Sequence, residues 1–484
     1  MVTFFCCIIF LIAGYFVYGK FVENKLFKTD PNRPTPCKTL GDGVDYKEMK
    51  TWKVFVIQFL NIAGLGPIFG AILGAAYGPM SYLWICLGCV FFGATHDYFS
   101  GMMSIRANGR SMPVIMGAYL GGWARKFMNV FLVLMLVLVG CSFVSGPADL
   151  LNQMAPIGRL IWVVLIFGYY IIATILPIDK IIGRIYPFMG ALLLFMAFSI
   201  GGVMIFKSLT GQMDLYELSF DSFRNFHSNP DKFVLIPMLF VVLSCGAISG
   251  FHSTQSPLMA RCINNEKNGR KVFYGSMITE GIVAMIWATV AMNYFGGPEG
   301  LNEAAAAGMT PAIIVNAICN EWLGKVGAIL AIIGVVCCPI TTGDTCFRST
   351  RLLLGDALNI DQKSIKNRIL FATPVFAFAV VVSTVNFTTL WNYVGIANQV
   401  IAMFMLWTGA KYLSKSYKRF YLSVPATFIT FICFSFFLLA PHSMGGFELQ
   451  PMYGYIVGSV VALAAAVSFE AYCIKRKRMT LKAR

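Results

Sequence analysis

Stretches of about 20 residues in which apolar side chains run almost unbroken constrain this chain more than any other feature, because a helix of that length matches the hydrocarbon thickness of a bilayer. Thirteen can be placed, near 3–19, 54–78, 80–103, 127–146, 159–176, 185–206, 233–254, 272–293, 325–343, 369–386, 390–411, 422–441 and 454–473. With 57% hydrophobic and 12% charged residues, the chain has too little polar surface to cover a soluble core. We therefore expect an all-α polytopic membrane protein of about 13 transmembrane helices whose solvent is the lipid bilayer. The run from Val2 to Val17 has no basic segment before it and no small-residue cleavage site after it, so it reads as the first span rather than a signal peptide.

The formal net charge of +16 would point to anionic partners in a soluble protein. Here it follows from the concentration of Lys and Arg in cytoplasmic loops. If the basic tail from Lys475 to Arg484 is cytoplasmic, thirteen crossings place 33 of the 38 Lys and Arg inside. The outside segments keep Arg159, Lys207, Arg224, Lys232 and Lys325. The expected topology is an outside N-terminus and a cytoplasmic C-terminus, with no nucleic-acid partner. Most of the fourteen cysteines lie in apolar runs, where free thiols behave as small hydrophobes, and no disulfide framework is expected. The Cys86–Cys89 pair has no second pair to make a metal site and reads as packing.

Two spans are interrupted. The first carries Gly64, Gly66 and Pro67 within 61–70, where Pro removes a hydrogen-bond donor and Gly weakens the helix. The second carries a polar stretch at 244–257 that includes Ser249, Gly250, His252 and Gln255. Backbone exposed there must face protein or water. The two breaks lie five crossings apart and run in opposite directions, the pattern of an inverted repeat. The chain divides accordingly into an N-terminal helix and basic loop (1–53), a first five-helix repeat (54–206), an external loop (207–232), a second five-helix repeat (233–411), and two C-terminal helices with a basic tail (412–484). The loops 104–126 and 293–324 each carry a short helical pattern after the second span of their half, as counterparts in a repeat would.

Broken helices offer free N–H groups to a carboxylate and free carbonyls to a cation. Gly and Pro also serve close helix packing, the plainer reading of either segment alone. The symmetric pair favours a substrate site at Gly64, Gly66, Pro67, Ser249, Gly250, His252 and Gln255. Charged residues inside spans are costly and need a reason. Asp97, Glu280 and Asp344 are candidates for proton coupling, and Thr341 and Thr342, with carbonyls near Ala63 or Gly66, for a sodium ion. The plainer reading of Asp344 is an ion pair with Arg348 or Arg351. His96 adjoins Asp97 in an HD pair, but the four histidines of the chain are too few for a metal-dependent phosphohydrolase. Neither a P-loop nor a GxSxG elbow is present, so the chain is read as no enzyme and no cofactor is expected beyond a coupling Na+ or H+.

The blocks IAGLGPIFGAILGAAYGP (62–79), ATHDYFSGM (94–102), GAISGFHSTQSP (246–257), TTGDT with FRSTRL (341–352) and WNYVGIANQ (391–399) together resemble the carbon starvation protein A (CstA) family. That resemblance implies a carrier of the bacterial inner membrane, associated with carbon starvation, for peptides in some members and pyruvate in others. Gln58 stands where other members carry His, so a proton role at that position does not carry over. The expected function is cation-coupled import of a small carboxylate-bearing nutrient. A nutrient-sensing receptor without transport is the alternative, followed by an intramembrane enzyme using His96, Asp97 and His252. The sequence leaves the oligomeric state open.

Overall fold

The computed structural model describes residues 1–176, 182–385 and 387–482 and contains only helices and their connections among them. Eight helices are long and apolar enough to cross a membrane, nine when the bent pair Thr51–Ala63 and Gly66–Ala75 is one span. The expected thirteen are not reached on that criterion. The span at 80–103 runs helical through a π segment at Gly88–Gly93 but carries His96 and Asp97, which lower its hydropathy. The span at 233–254 is split into Leu235–Val242 and His252–Ala260, and the helix at Arg159–Ile175 is only 17 residues long. The connection at 177–181 lies outside the described residues.

Eight helices position the site and are labelled in chain order: α1 (Thr51–Ala63), α2 (Ala94–Arg106), α3 (Gly122–Met154), α4 (Leu235–Val242), α5 (His252–Ala260), α6 (Gly275–Tyr294), α7 (Cys338–Leu358) and α8 (Phe387–Tyr412). All nine residues of α5 are buried, as are those of α6 from Val283 to Met292. A second apolar cluster joins α3 and α7 to Arg159–Ile175 and Ile365–Val382, with the rings of Phe347 and Phe376 stacked at 4.6 Å. The last helix, Pro451–Lys482, leaves Val460, Leu463 and Val467 exposed, as a lipid-facing helix does. The short patterns in the two matched loops are nine-residue helices, Met112–Leu120 and Pro298–Ala306. All fourteen cysteines are free.

Among the contacts that tie down the loop after the first span is a buried carboxylate. Asp42 turns it by accepting the backbone N–H groups of Val44, Asp45 and Tyr46 at 2.8–3.0 Å. Asp45 then enters the protein and pairs with Arg348 at 3.0 Å and Arg351 at 3.2 Å, both from α7 and both buried. Burial alone would push the Asp45 carboxyl up, but Arg351, Arg348 and Arg261 outweigh it and bring it down to about 2 from 3.8. The folded pKa lies below the unfolded one, so the ionised group stabilises the fold above pH 4 and ceases to as pH falls from about 4 to about 2. Asp45→Ala leaves two buried guanidiniums unpaired and should cost about 3–5 kcal/mol. Thermal unfolding in detergent checks both points: the difference between wild type and Asp45→Asn should shrink across that acid window, and an unchanged difference would contradict the assignment.

Candidate functional site

Each break is made at one glycine in the left-handed region. Gly64 ends α1 with φ +46° and ψ −131°, and Gly246 lies between α4 and α5 with φ +92°. Side chains strain such backbone, which accounts for glycine at both positions. Beyond Gly64 the chain resumes as Gly66–Gly70 and Ala71–Ala75, bent 52° from α1.

The two breaks abut. Gly66, Gly70 and Gly74, four residues apart, form a stripe against 242–245. A Cβ added at Gly66 would lie 2.2 Å from Cys245 Cβ, and one at Gly70 would lie 3.2 Å from the Val242 carbonyl oxygen. Gly93 and Gly281 leave similar room for the backbone of Ala247 and Gly246, at 2.2 and 3.5 Å. The freed backbone is satisfied from α8: Gln399 Nε2 donates to the carbonyls of Phe240 (2.8 Å) and Ile248 (3.4 Å), and the Asn398 carbonyl accepts the Gly250 N–H at 3.0 Å.

A cavity of about 60 Å³ lies where the breaks meet, lined by Gly66, Phe143, Ser244, Cys245, Trp391 and Asn398 among others. Of the residues expected at the substrate, Gly66 lines it, while Gly64, Pro67, Ser249, Gly250, His252 and Gln255 do not. Gly250 instead backs onto α8, where an added Cβ would stand 2.3 Å from the Asn398 carbonyl oxygen and 2.4 Å from the Ala402 nitrogen. Packing alone therefore demands glycine there. Gln255 donates to Thr254 Oγ1 at 2.9 Å and leaves its own carbonyl oxygen buried without a partner, as does the Ser249 hydroxyl. Both polar atoms of Gln58 and of Asn61 on α1 are likewise buried without partners.

The charged candidates separate into two groups. Asp97, His252 and Glu280 come together from α2, α5 and α6, and all three are fully buried. Asp97 lies 2.8 Å from His96 Nδ1 through one oxygen and 2.9 Å from His252 Nδ1 through the other. On its far side, His252 Nε2 is 3.4 Å from Glu280 Oε2. Cys245, on the second break, completes a cluster with His252 and Glu280.

Thr341, Thr342 and Asp344 sit apart from these on α7. The Thr342 hydroxyl reaches the carbonyl of Leu60 on α1 at 2.9 Å, beside the first break, and that of Cys338 at 3.2 Å. The Thr341 hydroxyl stays on its own helix, donating to the Cys338 carbonyl at 2.7 Å. Asp344 does not pair with Arg348 or Arg351, which bond Asp45. Its two oxygens accept from the hydroxyls of Tyr169 and Tyr186, each at 2.7 Å. Cys245, Asn398, Gln399 and the two tyrosines are functional candidates that the sequence does not single out. The WNYVGIANQ block covers Asn398 and Gln399, the polar stretch at 244–257 contains Cys245, and nothing in the sequence marks the two tyrosines.

A family model described as carbon starvation protein CstA matches residues 1–160 and 146–297. The chain belongs to the CstA family. An uncharacterized membrane protein of Haemophilus influenzae is 44% identical over 64% of this chain and 95% of its own length. The peptide transporter CstA of Campylobacter jejuni is 26% identical over 64% of this chain and 53% of its own, and the pyruvate/proton symporter BtsT of Escherichia coli is 25% identical over 57% and 47%. The match thus spans about half the length of these two named transporters. Among solved structures, MhsT in complex with L-phenylalanine superposes with a TM-score of 0.52 at 13% identity, over 86% of this chain and 98% of its own. A Na+-coupled sialic acid symporter gives 0.52 at 12%, over 96% and 97%. These two show a likeness of fold alone.

The contact between Gly66 and Cys245 makes a reciprocal test of this CstA-family site. Gly66→Ala forces a Cβ into Cys245 and should cost about 1–3 kcal/mol. Cys245→Gly removes both clashing atoms and leaves Cys245 Cα at 3.7 Å as the nearest contact. The double variant should therefore recover the unfolding temperature lost by Gly66→Ala, and simple additivity of the two losses would refute the contact.

Proposed function

We propose that the chain is a cation-coupled secondary transporter that imports a small carboxylate-bearing nutrient, a peptide or pyruvate, across the bacterial inner membrane during carbon starvation. The observation that carries this reading is the meeting of two opposed broken helices around one cavity, the arrangement in which discontinuous helices hold substrate and ion near the bilayer midplane. The names of the Campylobacter and Escherichia relatives supply the two substrate classes. In this reading the repeats are 54–206 and 233–411, the N-terminus lies outside and the C-terminus in the cytoplasm.

Asn398 lines the cavity, and its side-chain oxygen, buried without a partner, is an acceptor for a cargo N–H or ammonium such as a peptide carries, while its main-chain carbonyl is already committed to Gly250. The side chain is thus free to meet cargo without unfastening the break. Two places suit the coupling cation. The Leu60 carbonyl and Thr342 hydroxyl offer oxygen ligands beside the first break, the hard donors that sodium takes. Asp344, facing two tyrosine hydroxyls and set away from the arginines of its own helix, is a carboxylate suited to accept a proton.

Proteoliposome uptake of pyruvate, single amino acids and dipeptides, each under an imposed sodium or proton gradient, tests the reading. Accumulation of pyruvate or a small peptide under one gradient is the expected result. Specific binding without accumulation under either gradient would instead make the chain a nutrient sensor. Asn398→Ala should raise KM for a dipeptide about 10–100-fold, as loss of a hydrogen bond of about 1.5–3 kcal/mol to its ammonium does. Protein level should hold, because the Gly250 bond uses main chain only.

A further inference from the structure

Cys245, His252 and Glu280 form a cluster of which Cys245 alone touches the cavity and which shares nothing with the oxygen ligands of α7. We propose that Cys245 Sγ, His252 Nε2 and a Glu280 carboxylate oxygen bind a divalent transition metal of the zinc class. The ion would sit where the second break meets α6.

Several features agree on this. The three ligand atoms lie within 4.8 Å of one another, with Nε2 and Oε2 separated by 3.4 Å. Ligands at zinc's usual distances stand roughly 3.3–3.8 Å apart around a tetrahedron, so small side-chain adjustments close the set. The imidazole is already turned toward such an ion, since with Nδ1 on Asp97 the lone pair of a neutral ring lies on Nε2, facing Glu280. Asp97 is braced in turn by His96 Nδ1. A metal-bound histidine is commonly held this way, by a carboxylate on its other nitrogen. His252 Nε2 and both Glu280 oxygens are fully buried without an aligned hydrogen-bond partner, a cost that an ion would remove.

Charge points the same way. Asp97 and Glu280 bring two carboxylates into one dry site whose nearest compensating groups are imidazoles. A divalent ion bound by one thiolate and one carboxylate makes its own coordination sphere neutral, and His252 then stays neutral beside Asp97. The donor set also selects the ion. Thiolate and imidazole suit Zn2+ and its transition-metal neighbours, whereas Na+, Mg2+ and Ca2+ take oxygen. The site is therefore separate from any sodium seat at Thr342. Cys245 is half-buried and lines the cavity, which gives an ion a way in. Three protein ligands leave a fourth position, as in zinc sites that bind water or substrate.

The test is elemental analysis of the full-length protein purified in detergent, stripped with a chelator and reloaded with Zn2+ or Co2+. Wild type should hold about one ion per chain, and its Co2+ form should show thiolate-to-metal charge-transfer absorption. Cys245→Ser should abolish that absorption, and Glu280→Gln should lower metal content at least tenfold, whereas Asp97→Asn, acting through the ligand, should weaken affinity about 10–100-fold. Unfolding curves confirm that each variant is folded. Should a variant not fold, the wild-type stoichiometry and cobalt spectrum decide alone. Wild type that retains no ion after reloading, a cobalt spectrum without a thiolate band, or undiminished metal in folded Cys245→Ser overturns the proposal. None of these measurements involves transport, so a protein that carries pyruvate without metal refutes this site and leaves the transport reading standing, and the converse result does the reverse.

Discussion

Inside a bilayer a backbone N–H or C=O that leaves its helix has no water to turn to, and each one left unpaired costs several kcal/mol. Two stretches of this chain leave their helices where lipid would otherwise surround them, and the surrounding architecture can be understood as the means of tolerating that. The second break is the more demanding. Its carbonyls are met by Gln399, and the Gly250 N–H is met by a main-chain carbonyl of the same helix. Glycines on the neighbouring segments let backbone approach backbone where any side chain would intervene. The first break leans on the second and on Thr342, whose hydroxyl reaches the Leu60 carbonyl just before the chain turns.

A similar constraint governs charge. Asp45 enters the protein only with two arginines around it. Glu266, also buried, is held by Arg106 through both oxygens at 3.2 and 3.1 Å. Among the described residues Asp344 has no cation in direct contact, and two tyrosine hydroxyls donate to it. The Asp97–His252–Glu280 chain has more carboxylate than fixed cation, and among the described residues no arginine or lysine pairs with it. A buried charge that is fully compensated is a fastener, whereas one that is left short of charge or of hydrogen bonds has capacity for something mobile. On that criterion the Asp45 cluster is structural, and the two carboxylate groups deeper in the helices are where an ion or proton can act.

How much of this was legible follows from which interactions are local. Apolar run length and the Gly and Pro that interrupt it are properties of neighbouring residues, so the membrane class, the two broken helices and the short helices at Met112–Leu120 and Pro298–Ala306 could all be read directly. The span count could not, because a crossing made of two half-helices, as at Leu235–Val242 and His252–Ala260, looks to hydropathy like a continuous one. Partnerships across the fold were also hidden. Nothing local tells Asp344 to prefer Tyr169 and Tyr186 over Arg348 one turn away, since that choice is made by Asp45, some 300 residues distant, which claims the arginine first. Cys245 looked like one apolar thiol among fourteen because its significance lies wholly in what α5 and α6 bring beside it.

The glycines show why packing and binding were hard to separate, and why they need not be alternatives. Gly250 is required by the α8 backbone against it, and Gly66, Gly70 and Gly74 by the chain at 242–245, so each has a sufficient structural cause. Yet a face made of glycine has no side chains to interlock with its neighbour, and it meets that neighbour by close approach rather than by knobs and holes. Two elements joined that way resist separation through dispersion forces over the whole contact but have little to oppose a slide along it. A transporter needs that mechanical property where its substrate-bearing segments meet. Close packing and ease of sliding thus select the same residue for different reasons, and the contact between Gly66 and Cys245 meets both requirements.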